Sequence, residues 1–272
     1  MPAKLNYRFS SMRARSWLLA GLSLPMVSFL LIPCLSLLLR LSPAGFLDSI
    51  QSGQVAEAIT LSGVTTGIAT IITVIAGTPV AYLLARRSFR GKSVVDTFID
   101  LPILIPPSVA GIALLLAFGR RGLAGGVLSD MGIDIPFTQT AVILAQLFVA
   151  APLYIKSARA GFSTVERELE QAAEIDGASP SQRFRLITVP LSIHALAGGT
   201  IMTWARALGE FGATIIFAGN FPGKTQTMPL AIYMGFEIDF RIAVTLALIL
   251  LFLSFLVLLT VRKLLKERLA IL

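Results

Sequence analysis

The sequence predicts an all-α integral membrane protein with about six transmembrane helices. Of its 272 residues, 55% are hydrophobic and only 14% are charged, whereas average proteins carry about 25% charged residues. Several apolar runs reach the roughly 20 residues that a helix needs to cross the hydrocarbon core. Basic residues cluster in alternate loops between these runs, as they do in membrane proteins.

Six apolar runs account for the predicted spans. They cover residues 17–39, 59–84, 95–118, 138–154 (or 138–162), 191–217 and 242–261. The first run follows basic residues, as in a signal peptide, but it is too long and lacks a convincing cleavage site, so we expect it to be retained. Shorter helices are expected around 48–58 and 228–236. We divide the chain into an N-terminal tail, first span and outer loop (1–58), a core (59–262) and a C-terminal tail (263–272).

The basic residues lie mainly on one side of the predicted spans. Seventeen Lys and Arg residues fall on one side and five on the other, while Arg206 lies within a span. Because basic residues accumulate in cytoplasmic loops, we expect both termini and residues 163–190 to lie in the cytoplasm. The net charge of +8 is then explained by basic cytoplasmic loops that lie beside anionic lipid. A nucleic-acid partner is not needed to explain it.

Residues 163–191 are dense in charges and in helix signals, and they predict two short helices. Gly177 can adopt the left-handed conformation that ends the first helix, and Pro190 is expected to end the motif and open the next apolar run. Two capping boxes are predicted: Ser163 with Glu166, and Ser179 with Gln182. On these signals alone, a helix resting on the membrane surface would explain the pattern.

This segment resembles the cytoplasmic coupling loop of ABC importer permeases. The pattern of that loop is Glu-Ala-Ala, three residues, Gly, nine residues and Ile-x-Leu-Pro. The present chain keeps every spacing with Gln171-Ala172-Ala173, Gly177 and Ile187-x-Val189-Pro190. Gln171 replaces the Glu and Val189 the Leu, and Glu170 offers a neighbouring charge that points about 100° away around the helix. The resemblance implies that this coupling segment (residues 163–190) contacts an ATPase through Glu170, Gln171, Ala172, Ala173, Gly177, Ala178, Ser179, Ile187 and Pro190.

The composition of the second and third spans predicts how each of them packs. The second span is rich in Gly, Ala and Thr, which favours close helix contacts inside a bundle. The third span contains Pro102, Pro106 and Pro107, which break the helical hydrogen-bond ladder. The freed carbonyls must face protein or water, so the break either lines a path or only serves packing. The Leu-Pro-x-x-x-Pro-Pro pattern resembles oxyanion permeases and favours the path.

Arg206 and Glu210 are separated by four residues in the fifth span, so they can pair on one helix face. Charged groups within a span usually mark a path, but a self-neutralising structural pair is an equal alternative. If Arg206 helps an anion to cross, Glu210 weakens its field. A path that must release its cargo benefits from weak binding.

Residues 205–213 and 217–230 resemble the molybdate branch of these permeases; sulfate permeases share the Arg-Ala-x-Gly-Glu part. The resemblance implies a type I ABC importer permease fold in the bacterial inner membrane, built as a homodimer. It also implies two cytoplasmic ATPase subunits, which bind ATP and Mg, and an extracytoplasmic oxyanion-binding protein. Tungstate or sulfate are the alternative cargoes. The path residues it implies are Pro106, Pro107, Arg206, Gly209 and Glu210, and Gly209 and Gly212 would permit close contact near the dimer axis.

The chain carries no motif for chemistry of its own. It lacks a P-loop, a Ser-His-Asp set, a His-Glu-x-x-His motif and a cysteine cluster, so we expect neither an ATP site nor a metal site. Cys34 and His194 are each the only residue of their type, and His194 is expected to be a packed helix residue. An ion-coupled carrier would usually show more protonatable groups in its spans than Glu210, and a membrane scaffold would not need Arg206.

Overall fold

The computed structural model describes the backbone of residues 3–40 and 43–271 and the side chains of residues 21–40 and 45–264. The described chain is helical, with no strand. Its helices are α1 (Ala3–Arg40), α2 (Pro43–Ile50), α3 (Gly53–Arg86), α4 (Lys92–Leu104), α5 (Pro107–Phe118), α6 (Gly125–Asp130), α7 (Gln139–Ser163), α8 (Arg167–Ile175), α9 (Pro180–Arg183), a π-helical turn (Phe184–Thr188), α10 (Val189–Leu208), α11 (Gly212–Phe217), α12 (Met228–Ile238) and α13 (Phe240–Ile271).

The prediction of about six transmembrane helices is confirmed. Within the described ranges, five stretches are long and apolar enough to cross a membrane: Gly21–Arg40, Gly53–Arg86, Gln139–Ser163, Pro180–Leu208 and Phe240–Leu264. Helices α4 and α5 pass the same test together, although they are bent by 117° at a short break. The third predicted span is therefore a pair of helices rather than one straight helix.

Contacts at the helix ends fix the direction in which the spans run. Arg86, the last residue of α3, bonds to Val165 and Glu170, which follow α7, so α3 and α7 end on the same side. Their first turns also lie together, because Ala56 and Gln139 line one surface cavity. Helices α3 and α7 are therefore parallel, and the chain between them returns across the membrane through α4 and α5.

Helix α7 lies at the centre of the bundle, packed against α3 and α10. Its Tyr154 is 1% exposed and shares a hydrogen bond of 2.6 Å with Thr78 of α3. Small residues permit this approach: a Cβ added to Gly77 would lie 3.1 Å from the Tyr154 ring, and one added to Gly199 would lie 2.7 Å from Cβ of Ser157. The close contacts expected for the second span are present on one face of α3, whereas Ile71 and Ile75 on another face are 60% and 70% exposed in the single chain.

Helix α12 enters and leaves the bundle on the side where α3 begins. The N–H of Met228 donates to Oγ of Ser62 at 2.7 Å, and Ser62 lies roughly 14 Å along α3 from its start. The chain then turns back and continues into α13. A Cβ added to Gly235 would lie 3.0 Å from the backbone N of Ala243, so the two helices form a close hairpin. The short helix expected around 228–236 is therefore present as α12 (Met228–Ile238).

Three predicted boundaries are wrong. No helix covers 48–58, because α2 ends at Ile50 and α3 begins at Gly53, with Ser52 accepting a hydrogen bond from Val55 N at 3.4 Å. The fifth span is interrupted at residues 209–211. The last helix continues beyond the predicted end at 261, to Ile271. The side chains of the predicted basic tail at 1–15, and those from 265 onward, lie outside the described residues.

Candidate coupling segment and translocation path

The turn between the two short helices of the coupling segment forms as predicted. Helix α8 ends before Gly177, which has a φ of +85°. Ala178 N then donates to the carbonyl of Ala173 at 2.8 Å, which is the bond of a Schellman motif. The Ser179–Gln182 capping box is present, with both of its hydrogen bonds made, at 2.8 and 3.3 Å.

The predicted start of the first short helix of this segment is wrong. Ser163 is the last residue of α7, and α8 begins only at Arg167, with no side-chain bond from Glu166 at its N-cap. Pro190 lies in the first turn of α10, where it opens the apolar run as expected, and residues 180–208 form one continuous helical stretch through it. The π-helical turn just before Pro190, in which Val189 N bonds to the carbonyl of Phe184, is a wider turn that accommodates a residue without an N–H.

The coupling segment presents small and apolar side chains to solvent. Ile175 is 87% exposed and Leu186 is 72% exposed. Gln171, Ala172, Gly177, Ser179 and Pro190 are exposed, whereas Ala173, Ala178 and Ile187 are half-buried. Helix α8 contains no buried residue. Large exposed apolar groups on a polar helix are typical of a surface that a partner covers.

Glu170 faces the bundle, unlike its neighbour Gln171. Its Oε1 accepts bonds from Arg86 at 2.7 Å and from Thr188 at 2.6 Å, and its side chain is only 14% exposed. The sequence suggests Glu170 as a source of the charge that is lost where Gln171 replaces the Glu of the family pattern. Because Glu170 faces the bundle, it does not supply that charge on the exposed face. On the same helix, Glu174 pairs with Arg183 within the coupling segment.

The two broken spans meet at their breaks. Helix α4 ends at Leu104, and α5 begins at Pro107 after the extended residues Ile105 and Pro106. Helix α11 begins at Gly212, where an added Cβ would lie 2.7 Å from Cβ of Pro107. Pro106 and Pro107 are both exposed. Gly212 therefore serves a contact within its own chain.

Arg206 and Glu210 form the predicted pair, with Nη1 and Oε2 2.7 Å apart. Glu210 is 1% exposed, whereas the Arg206 side chain is 35% exposed. The second carboxylate oxygen of Glu210 accepts a bond from Ala213 N at 2.9 Å, so it caps the start of α11. The pair thus closes the break in the fifth span, while the guanidinium keeps access to the surface. Gly209 beside it is exposed.

Several residues in these regions have contacts or positions that sequence reasoning did not predict. His194, expected to be a packed helix residue, is only half-buried, and it lines two adjoining grooves of about 440 and 360 Å³ between α7, α10 and the coupling segment. A Cβ added to Gly111 of α5 would lie 2.9 Å from the carbonyl oxygen of Ala213. Arg86 and Thr188 bind Glu170 from distant positions in the chain. No local spacing signals these contacts.

Comparisons with known proteins agree with this architecture. Residues 77–270 match the family described as binding-protein-dependent transport system inner membrane component. The chain is 40% identical to the probable transport system permease protein NifC of Clostridium pasteurianum over 235 residues, which cover 86% of this chain and 82% of that protein. It is 38% identical to the molybdenum transport system permease protein ModB of Mycobacterium tuberculosis (strain ATCC 25618 / H37Rv) over 86% of this chain and 89% of that protein.

Solved structures show the same fold at low sequence identity. A chain of a bacterial alginate ABC transporter, in complex with a periplasmic protein, superposes with a TM-score of 0.72 at 19% identity, covering 94% of this chain and 96% of that one. The MetNI methionine ABC transporter gives a TM-score of 0.55 at 15% identity over 78% and 93% of the two chains. The family match covers more than half of the chain, and the relatives are 38–40% identical over most of both chains. The chain therefore belongs to the binding-protein-dependent transport system inner membrane components, the permease subunits of ABC transporters.

Proposed function

We propose that this chain is the transmembrane permease subunit of an ATP-driven importer that moves molybdate into the cytoplasm. Relatives named molybdenum transport system permeases are 38–39% identical and align over 89% and 78% of their own length. The observation that carries the proposal is the coupling segment: an exposed short helix, bonded to the ends of the spans, in a chain without a P-loop.

The coupling segment is the surface that the ATPase subunit would cover. Gln171 and Ala172 are exposed beside Ile175, so a small apolar helix face is available to a cleft in a partner. The partner would bind ATP and Mg, and its closure would move the segment and the spans attached to it, as in other ligand-driven domain movements. The excess of basic residues on this side of the chain supports a cytoplasmic position for the segment and for both termini.

The meeting point of the two broken spans is the proposed translocation path. Broken helices within a membrane occur where backbone groups line a cavity or are buried in protein. Arg206 offers a partly exposed cation, and its pairing with Glu210 weakens its hold on an anion, which favours release. Pro106, Pro107 and Gly209 are exposed in the single chain, so a second copy would complete the path from the other side.

The full assembly would contain two copies of this chain, two ATPase subunits and an extracytoplasmic oxyanion-binding protein. A Cβ added to Gly209 would meet only the carbonyl oxygen of Ala205, at 3.8 Å. Gly209 is therefore open to close contact with a second copy, whereas Gly212 is not. No cofactor is proposed for this chain itself.

Tungstate and sulfate are the alternative cargoes, because both are tetrahedral dianions like molybdate. An ion-coupled carrier is a weaker alternative. Such carriers need a group that releases its proton during the cycle, yet Glu210, Asp96 and Asp100 are each engaged in an ion pair, with Arg206, Arg159 and Lys156 respectively.

ATP hydrolysis by the reconstituted complex tests the proposal. The permease, its ATPase and its binding protein are placed in lipid vesicles, and the rate is measured with molybdate, tungstate or sulfate on the binding-protein side. We expect molybdate to stimulate hydrolysis at the lowest concentration. Stronger stimulation by sulfate would reassign the cargo. If the ATPase did not co-purify with the chain and no anion stimulated hydrolysis, the permease role itself would be wrong.

A further inference from the structure

Arg86 connects the coupling segment to a span that is distant in sequence. It is the last residue of α3, and 84 positions separate it from Glu170. Its guanidinium donates to Oε1 of Glu170 at 2.7 Å and to the carbonyl of Val165 at 3.1 Å. Its own carbonyl accepts a bond from Arg167 at 3.3 Å. Three hydrogen bonds therefore join the end of α3 to the residues around α8.

Glu170 joins a third element at the same point. The hydroxyl of Thr188, in the π-helical turn that leads into α10, donates to the same oxygen at 2.6 Å, and Thr188 is 0% exposed. The side chains of Arg86 and Glu170 are only 11% and 14% exposed. One shielded carboxylate therefore links α8 to α3 and to the start of α10.

Apolar packing does not hold α8 in place. None of its residues is buried, and its two large apolar residues, Leu169 and Ile175, are 46% and 87% exposed. Its other ion pair, Glu174 with Arg183, joins two parts of the coupling segment and cannot attach the segment to a span outside it. The position of α8 relative to α3 therefore depends on the polar contacts of Arg86.

We propose that the Arg86–Glu170 ion pair transmits movement of the coupling segment to α3, so that α3 moves together with α7 and α10 when the ATPase closes. Glu170 acts as a positioning residue within the permease rather than as a contact with the ATPase. This inference rests on the proposed function. An ion pair suits the task because removing either partner leaves an uncompensated charge in a shielded site, so separation is resisted.

Glu170→Gln and Glu174→Gln form a matched pair of variants on one helix. Each is tested in the full complex in vesicles by three measurements: the amount of ATPase that co-purifies, the rate of ATP hydrolysis and the molybdate transported per ATP. Glu170→Gln is expected to keep the ATPase subunit and at least half of the hydrolysis, while transport per ATP falls about tenfold, within the range of coupling energies between sites. Glu174→Gln changes an exposed residue of the surface that the ATPase would cover, and it is expected to keep transport per ATP within about twofold of the wild type, whatever its effect on the amount of bound ATPase.

Two outcomes would overturn this inference. Transport per ATP in Glu170→Gln within twofold of the wild type would show that the pair transmits nothing. Loss of the ATPase subunit from Glu170→Gln, with Glu174→Gln unaffected, would show that Glu170 contacts the partner instead. Failure of the proposed function would be visible in the wild-type complex, which would move no molybdate, whereas failure of this inference is confined to the variants.

Arg86→Lys tests the geometry without removing the charge, and it covers the case in which Glu170→Gln folds poorly. A single ammonium lacks the fixed fork with which Arg86 binds both Glu170 and Val165, so transport per ATP is expected to fall about fivefold. The double variant Arg86→Gln/Glu170→Gln replaces the ion pair by two neutral groups and is expected to transport more per ATP than Glu170→Gln alone. The single variant Arg86→Gln completes the comparison, and a double variant whose defect equals the product of the defects of Arg86→Gln and Glu170→Gln would contradict a shared role.

Discussion

Two Arg–Glu pairs with the same nitrogen–oxygen distance of 2.7 Å stand in contrast in this permease. Arg206 and Glu210 lie four positions apart within the fifth span, and Glu210 is 1% exposed. Arg86 and Glu170 lie 84 positions apart and join two separate elements at the edge of the bundle. The first pair closes a break within one stretch of chain, whereas the second holds together parts that the chain connects only through α4 to α7.

The contrast shows that one pair of residue types serves two purposes, depending on what it connects. Glu210 caps the start of α11 through Ala213 N, so its loss disturbs the local backbone. Glu170 makes no backbone contact of this kind in the described structure; it binds the side chains of Arg86 and Thr188. We therefore expect the inner pair to govern stability and the outer pair to govern coupling.

The largest stability effect is expected for Glu210→Ala. The change leaves the partly exposed Arg206 without its partner and the start of α11 without its cap. Loss of a hydrogen bond to a charged group together with loss of a cap costs about 3 kcal/mol. Glu210→Gln keeps an oxygen for Ala213 N and is expected to cost less. Thermal unfolding of the purified chain in detergent measures both variants. Equal melting temperatures for Glu210→Ala and the wild type would show that this pair does not stabilise the structure.

A smaller loss is expected for Gly111→Ala, beside the same break. The added Cβ would lie 2.9 Å from the carbonyl oxygen and 3.0 Å from Cα of Ala213, and backbone atoms cannot move aside as a flexible side chain does. Overpacking of this kind costs about 2 kcal/mol. Gly198→Ala in α10 is the control, because nothing lies within 4 Å of its Cβ position. A melting temperature of Gly111→Ala equal to that of Gly198→Ala would show that α5 and α11 are not in close contact.

A local effect of about 1 kcal/mol is expected for Gly177→Ala in the coupling segment, since an L-residue is disfavoured at a φ of +85°. The overall melting temperature is expected to change little, because the coupling segment contributes little buried surface. Hydrogen exchange at residues 177–183 should become faster than in the wild type. Gly53→Ala, with open space at its Cβ position, serves as the control. Unchanged exchange at 177–183 would contradict the left-handed turn.

The smallest effect is expected at the exposed pair of Arg120 and Asp134, whose nitrogen and oxygen lie 2.9 Å apart. The hydrogen bond from Arg120 lowers the pKa of Asp134 from its ordinary value. A lowered pKa contributes stability above the unfolded value, and that stability is lost as the pH falls through the folded value. Arg120→Gln should therefore melt slightly below the wild type at pH 7, and the difference should shrink as Asp134 becomes protonated in acid. A difference that grows toward acid would reverse the sign of this interaction.

The sequence predicts the parts of this structure that depend on neighbours in the chain. The Ser179–Gln182 box and the Gly177 turn follow from spacings of a few residues, and the Arg206–Glu210 pair follows from the helical repeat. The six spans follow from their length and hydrophobicity.

Tertiary contacts explain what the sequence could not predict. No spacing relates Arg86 to Glu170, so the sequence predicts Glu170 as a contact to the ATPase and does not reveal its bond to Arg86. Ser163 has the right partner for a capping box in Glu166, but Ser163 is the last residue of α7 and α8 begins only at Arg167. The break at residues 209–211 depends on the carboxylate of Glu210 and on the approach of Pro107 to Gly212, which periodicity alone does not reveal.

Uptake of molybdate into sealed vesicles tests the central claim most directly, that this permease has no energy source of its own and receives movement through the coupling segment. Vesicles carry either the chain alone or the complete complex, with the binding protein on the outside and ATP enclosed. We expect accumulation against a gradient only when both the ATPase subunit and ATP are present. Accumulation of molybdate by vesicles that contain the chain alone would contradict the account.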